Sequence, residues 1–260
     1  MKELNGRDYT EKDIWCGQEG REIYGRLFLP LEAEEGKKVP LVLFCPELYR
    51  THESGVPYAR ELAGRGIAVV TFDCRGTAKE SRSNGSMLDM SVITCKEDLF
   101  TVYREARSWD FTDPDKVAAI GASQGAFATA VAASEMPDAF AGIVLMYGAY
   151  VILDDARKTF PAKESVPEVF NYNGWSMMGA RYFTDLWDFK PESLGSFTRP
   201  VLVMHGDEDP LVDPSYSEKV AAVYDDVEFH MIRGGRHGFR NEAFEEALFL
   251  ILQFLEKIGF

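Results

Sequence analysis

VAAIGASQGAFATAVAASE, residues 117–135, is the stretch whose reading decides the fold. It opens on a short apolar run, as expected of a strand buried on both faces. It closes on an alanine-rich segment, 124–135, that favours a helix. Between them stands Gly121-Ala122-Ser123-Gln124-Gly125, a G-x-S-x-G pattern at a strand-to-helix turn. Alone the pattern is weak, and a plain glycine-rich turn would also satisfy it. In this context it fits a nucleophile elbow. Glycines at 121 and 125 let strand and helix approach while Ser123 is held in a strained turn, its hydroxyl free at the sheet edge.

The same alternation extends outward. Apolar runs at 41–45, 67–73, 142–148, 200–206 and 227–232 read as strands, and 23–29 as part of an N-terminal antiparallel hairpin. Helical segments are expected at 54–65, 91–109, 214–224 and from a cap at Asn241 onward, where Phe244, Leu248, Ile251, Leu252 and Leu255 share a face. This order predicts an α/β fold with a mostly parallel, doubly wound sheet of about eight strands. Ligands of such sheets bind at the carboxyl ends of the strands, so the chemistry should lie in the loops that follow them.

A serine hydroxyl needs a base to take its proton. The histidines are His52, His205, His230 and His237. His205 ends one strand and His230 lies inside another, which reads as structural. His52 follows the 41–45 strand and could line a pocket. His237, in Gly234-Gly235-Arg236-His237-Gly238-Phe239, follows the last strand on a loop able to reach Ser123, and is the expected general base. The acid comes from the loop 206–213, which holds Asp207, Glu208, Asp209 and Asp213. Asp209, fixed by Pro210, is the choice, while Asp207 and Glu208 are expected to cap the turn or face water. The chain order Ser123, Asp209, His237 is that of α/β-hydrolases. The oxyanion donors are expected to be the N–H groups of Gln124 and Glu47, with Leu48 as runner-up, since Pro46 has no N–H.

These residues resemble the α/β-hydrolase superfamily, and within it bacterial serine hydrolases of the cinnamoyl/feruloyl esterase type. The resemblance runs from about residue 20 to the C-terminus. It rests on FDCRGT (72–77), DPDKVAAIGASQGA (113–126), HGDEDPLV (205–212) and GGRHGF (234–239). It places nucleophile, acid and base on Ser123, Asp209 and His237, and implies carboxylic ester hydrolysis, with hydroxycinnamate esters among the substrates. Where the family has His-Gly before the second oxyanion donor, this chain has Cys45-Pro46. Asp73 and Arg75 are expected to form a structural ion pair or to anchor their loop.

Residues 150–198 are too long for a plain crossover and dense in aromatics: Phe160, Phe170, Tyr172, Trp175, Tyr182, Phe183, Trp187, Phe189 and Phe197. The resemblance implies that this segment roofs the pocket. It is expected to be a lid inserted in a single domain, 1–260, with Tyr150, Trp175, Met178 and Tyr182 contacting substrate. The alternative is an insertion that packs a small core of its own.

Of 260 residues, 28 are Lys or Arg and 42 Asp or Glu, giving a net charge of −14. No basic cluster accompanies that charge, so neither nucleic acid nor an anionic membrane is an expected partner. No leader or transmembrane run is visible, and a cytoplasmic monomer or homodimer is expected. Cys16, Cys45, Cys74 and Cys95 are far apart and read as free thiols without metal spacing. No cofactor or metal is required by the chemistry. A small-molecule ester is the expected substrate. The same groups would also serve a thioesterase, a lactonase, a short peptidase or an acyltransferase, and the fold could survive as a non-catalytic binding module.

Overall fold

The computed structural model describes residues 9–174 and 176–260. The strands are β1 (Tyr9–Cys16), β2 (Ile23–Pro30), β3 (Val39–Cys45), β4 (Ala68–Phe72), β5 (Thr112–Ala122), β6 (Gly142–Met146), β7 (Val169–Tyr172), β8 (Ser176–Gly179), β9 (Val201–Gly206) and β10 (Val227–Ile232). The α-helices are α1 (Leu31–Glu34), α2 (Val56–Ala63), α3 (Val92–Arg107), α4 (Gln124–Glu135), α5 (Ile152–Thr159), α6 (Arg181–Thr184), α7 (Ser215–Ala221) and α8 (Glu242–Lys257). The main sheet has eight strands in the order β1-β2-β4-β3-β5-β6-β9-β10. Its first two pairings, β1 with β2 and β2 with β4, are antiparallel; all others are parallel. The expected α/β-hydrolase architecture is therefore present, with β7 and β8 forming a separate antiparallel hairpin.

Two-residue periodicity sends alternate strand residues to opposite faces. On β3, Leu41, Leu43 and Cys45 join the core beneath α3 and α4, while Val42 and Phe44 join the core beneath α2 and α8. The parallel strands are thus apolar on both sides, as their uninterrupted runs foretold. Helix α3 begins at a capping box in which Thr94 N–H donates to Ser91 Oγ and Ser91 N–H to Thr94 Oγ1, satisfying amides that the first turn leaves open. At α8 the expected side-chain cap is absent. Asn241 occupies the position with a φ of 50° but makes no capping hydrogen bond.

Of the four cysteines expected to be free thiols, Cys16 and Cys45 are free and Cys74 and Cys95 are not. Cys74 and Cys95 form a disulfide, and the buried Cys45 Sγ lies 3.7 and 3.6 Å from their sulfurs. Spacing along the chain concealed this, because β3, the end of β4 and α3 bring the three together. Asp73 and Arg75 do not pair with each other, and of the two expectations for them the loop anchor is the one that matches. Asp73 receives the backbone N–H groups of His52 and Arg82, and Arg75 binds the buried Asp98 through Nε and N–H at 2.5 and 2.7 Å. No helix among the described residues is long and apolar enough to cross a membrane.

Candidate active site

The turn between β5 and α4 carries Ser123 at a φ of 53° and a ψ of −117°, a strained backbone for a residue with a side chain. Its N–H is anchored to Met146 O on the neighbouring β6 at 2.9 Å. The flanking glycines are required by contact. A Cβ at Gly121 would lie 2.4 Å from Gly125 O, and one at Gly125 would lie 2.2 Å from Cys45 O and 2.4 Å from Pro46 O. Gly125 thereby lets the loop after β3 close directly on the N-terminus of α4.

The loops after β9 and β10 bring two further side chains to this turn. His237 Nε2 lies 2.8 Å from Ser123 Oγ, and its Nδ1 lies 2.7 Å from Asp209 Oδ2. Asp209 Oδ1 accepts the N–H groups of Leu211 and Val212 at 2.8 and 3.0 Å, so the carboxylate is clamped by the loop that bears it. Burial alone would raise the Asp209 pKa; the hydrogen bonds from His205 and His237 and the Val212 N–H outweigh it and hold the carboxyl well below the usual range. Asp207 does not simply face water. Its Oδ1 accepts the N–H of Gly234 at 2.6 Å and ties the acid's loop to the histidine's loop.

A cavity of about 900 Å³ opens above these groups, lined by Ser123, Gln124, His237, Glu47, Leu48 and Tyr147 on the sheet side. Tyr49 N–H is bonded to Thr77 O and Arg50 N–H to Glu47 O, so Glu47 and Leu48 are the candidate donors of that loop. Gln124, first residue of α4, also lines the cavity. There its N–H, which has no acceptor inside the helix, and the positive end of the helix dipole favour an anion.

Residues 150–198 supply the opposite wall through Val151, Ile152, Asp155, Tyr172, Asn173 and Tyr182. The rings of Tyr172 and Tyr182 in that wall pack with Phe160, Phe170 and Phe183 behind it, edge to face or tilted in most pairs, so the insertion carries its own small core as well as lining the cavity. Tyr172 donates to Asp155 Oδ2 at 3.1 Å, and burial raises the Asp155 pKa against that bond. Of the four expected substrate contacts, Tyr182 lines the cavity. Tyr150 and Met178 do not: both are buried, Tyr150 with its ring against Phe127. Trp175 lies outside the described residues.

His52 is not a lining residue; its Nδ1 lies 2.8 Å from Asp73 Oδ1. His230 is partly exposed on β10, 3.9 Å from Glu228. Two neighbours of the site escaped the sequence reading. Tyr147, at a φ of 39°, sets its ring 5.0 Å from that of His237 and donates to Glu47 Oε1 at 3.0 Å. His205, read as structural, lies 3.1 Å from Asp209 Oδ2. Among the described residues the sulfurs of Cys45, Cys74 and Cys95 lie together, two of them joined as a disulfide, and none of them lines the cavity.

The model of the prolyl oligopeptidase family, Peptidase_S9, matches residues 58–258, a span that includes the elbow, the acid loop and the histidine loop. This chain belongs to that family. Curated relatives are dipeptidyl peptidase 8 of Mus musculus and of Homo sapiens, each 31% identical over 144 residues. Those matches span 51% of this chain and only 16% of the relatives' length. Among solved structures, Est1E from Butyrivibrio proteoclasticus superposes with a TM-score of 0.82 at 20% identity, covering 95% of this chain and 98% of that one. An esterase of Pyrobaculum calidifontis gives 0.72 at 21% identity, covering 98% and 88%. At such identities the structures speak for the α/β-hydrolase fold; the family match makes the chain a hydrolase of the prolyl oligopeptidase family.

Proposed function

We propose that this protein is a serine-dependent carboxylic ester hydrolase. The observation that carries the reading is the run of contacts from Ser123 Oγ to His237 Nε2 and from His237 Nδ1 to Asp209, at 2.8 and 2.7 Å, beneath the cavity. His237 takes the Ser123 proton as Oγ attacks the ester carbonyl, and Asp209 stabilises the imidazolium that forms. The N–H groups of Gln124 and Glu47 receive the charge that develops on the carbonyl oxygen. On collapse, His237 returns the proton to the leaving alcohol and an acyl-Ser123 ester remains. Water, giving its proton to His237, adds to that ester and releases the acid, and Ser123 recovers its hydrogen.

The acyl group fits an aromatic acid bearing a hydroxyl. The insertion's wall presents Tyr172, Tyr182 and Asp155 together, an aromatic surface with a polar end. Ferulic acid is the ligand named for one Est1E structure, which has a TM-score of 0.83 and 21% identity to this chain. The test is hydrolysis of p-nitrophenyl acetate and butyrate by wild type and Ser123→Ala. Turnover by the wild type and none by the variant is expected; equal rates would end the proposal. A second reading, cleavage of short aminoacyl bonds, draws on the family match and on the dipeptidyl peptidase relatives. Aminoacyl-anilides set beside esters of the same acyl size separate the two.

A further inference from the structure

Asp209 Oδ2 serves two imidazoles. Besides His237, it lies 3.1 Å from Nε2 of His205, a residue with no exposed surface at the end of β9. The same Nε2 lies 3.0 Å from Val212 O, and Nδ1 lies 2.7 Å from Oγ of the fully buried Ser217 on α7. A carbonyl oxygen and an ionised carboxylate can only accept, so Nε2 must carry hydrogen. In the neutral ring Ser217 then donates to Nδ1, and the tautomer is fixed from both sides.

We propose that His205 is a positioning residue for the hydrolysis: its Nε2–H, shared between Asp209 and the Val212 carbonyl, holds the carboxylate in the direction that His237 needs. This rests on the function proposed above. The arrangement runs Ser217, His205, Asp209, His237, Ser123, each in hydrogen-bond reach of the next. Donation by Ser217 into Nδ1 strengthens the Nε2–H as a donor, because hydrogen bonds in a chain polarise one another. Donation by His205 into Oδ2 in turn draws off part of the charge that the carboxylate shows to His237. Charged groups about the chain include Asp213, with Lys219 near it, on the His205 side, and Glu47, through Tyr147, and Arg240 on the His237 side.

The experiment compares His205→Gln, His205→Asn and Ser217→Ala with wild type and Ser123→Ala, using p-nitrophenyl butyrate across pH and thermal melts to establish folding. Glutamine places its amide nitrogen as many bonds from the backbone as Nε2 and can still donate to Asp209. Asparagine ends one bond earlier, near Nδ1, and cannot. Expected is a kcat at least tenfold lower in His205→Asn with KM within twofold, and kcat within about threefold of wild type in His205→Gln. The acid limb of kcat/KM should move to higher pH in His205→Asn, and less far in Ser217→Ala, because more of the carboxylate charge then faces His237. Equal activity of the two His205 variants, or an acid limb that stays in place, overturns the role. Should His205→Asn fail to fold, the limb of Ser217→Ala decides alone. A wild type that turns over while Ser123→Ala is dead and the His205 variants are unchanged sinks only the positioning role. A wild type without turnover, or a Ser123→Ala as active as wild type, removes the functional reading, and the positioning role with it.

Discussion

Gly125→Ala tests whether the oxyanion loop is seated on the elbow by contact. The added Cβ would lie 2.2 Å from Cys45 O, 2.4 Å from Pro46 O and 2.7 Å from Cys45 C, all of them backbone atoms. An ordinary contact begins near 3.4 Å, so α4 and the loop after β3 must part by about 1 Å. Neither side yields readily, since β3 is held between β4 and β5 in the middle of the sheet. Parting them separates the Gln124 N–H from the Glu47 N–H, the two groups proposed to share the oxyanion. A misplacement of this size costs on the order of 100-fold in rate. Outright loss of one donor costs roughly 100- to 1000-fold, or about 3–4 kcal/mol of barrier. Overpacking should cost about 1–3 kcal/mol of stability as well. The assay is steady-state hydrolysis of p-nitrophenyl butyrate well below the melting temperature, with the folded fraction measured by circular dichroism. The loss should fall on kcat and spare KM. A folded Gly125→Ala with kcat within threefold of wild type would refute the reasoning, because the donors would then not depend on that contact.

Three further outcomes follow from the same contacts. Asp155→Asn should narrow the preference for methyl p-coumarate over methyl cinnamate by roughly tenfold, the worth of one hydrogen bond to a charged group; an unchanged ratio of kcat/KM would remove Asp155 and Tyr172 from the reading of an aryl hydroxyl. The Asp209 pKa is held low in the folded state, so unfolding takes up protons below about pH 4 and stability falls as acid is added. In urea titrations from pH 5 to pH 2, Asp209→Asn should therefore lose less stability than wild type, and parallel losses would contradict that origin. Cys95→Ala opens a disulfide between residues 21 apart and should lower the unfolding free energy by about 3 kcal/mol while leaving kcat within twofold, since the sulfurs do not line the cavity; equal urea midpoints would count against the bond.

What the sequence disclosed was local. A parallel strand buried on both faces is apolar along nearly its whole length, and the runs 41–45, 142–148 and 200–206 therefore mark strands without knowledge of their neighbours. The elbow was equally legible, because its glycines answer to contacts within one turn and its immediate surroundings. Lining residues were harder. Tyr150, Met178 and Tyr182 are all large apolar or aromatic side chains of the same insertion, yet only Tyr182 reaches the cavity. Residue type reports that a side chain will be buried, not against what. The same limit hid Asp98 as the partner of Arg75, since α3 had first to pack beside the end of β4.

The acid loop shows where such reasoning stops and why. Four carboxylates crowd 206–213, and each is a plausible acid by charge alone. Three of them have different tasks in the folded chain. Asp207 binds the Gly234 N–H, Asp213 binds the Ser215 N–H, and Asp209 alone turns one oxygen to its own loop and the other to His237. Pro210 made Asp209 the better choice from sequence, but nothing in the string of letters marks the imidazole four residues before it as a second donor to the same oxygen. That contact arises only when the loop folds back on β9 and α7 brings Ser217 under the ring. A histidine that ends an apolar strand reads as filler until its two nitrogens are assigned. Val212 O and Asp209 can only accept, which places the hydrogen on Nε2 and leaves Nδ1 of the neutral ring to accept from Ser217. Any buried imidazole must satisfy both nitrogens, so what sets His205 apart is the identity of one partner: the Asp209 oxygen that it meets is the one that also faces His237.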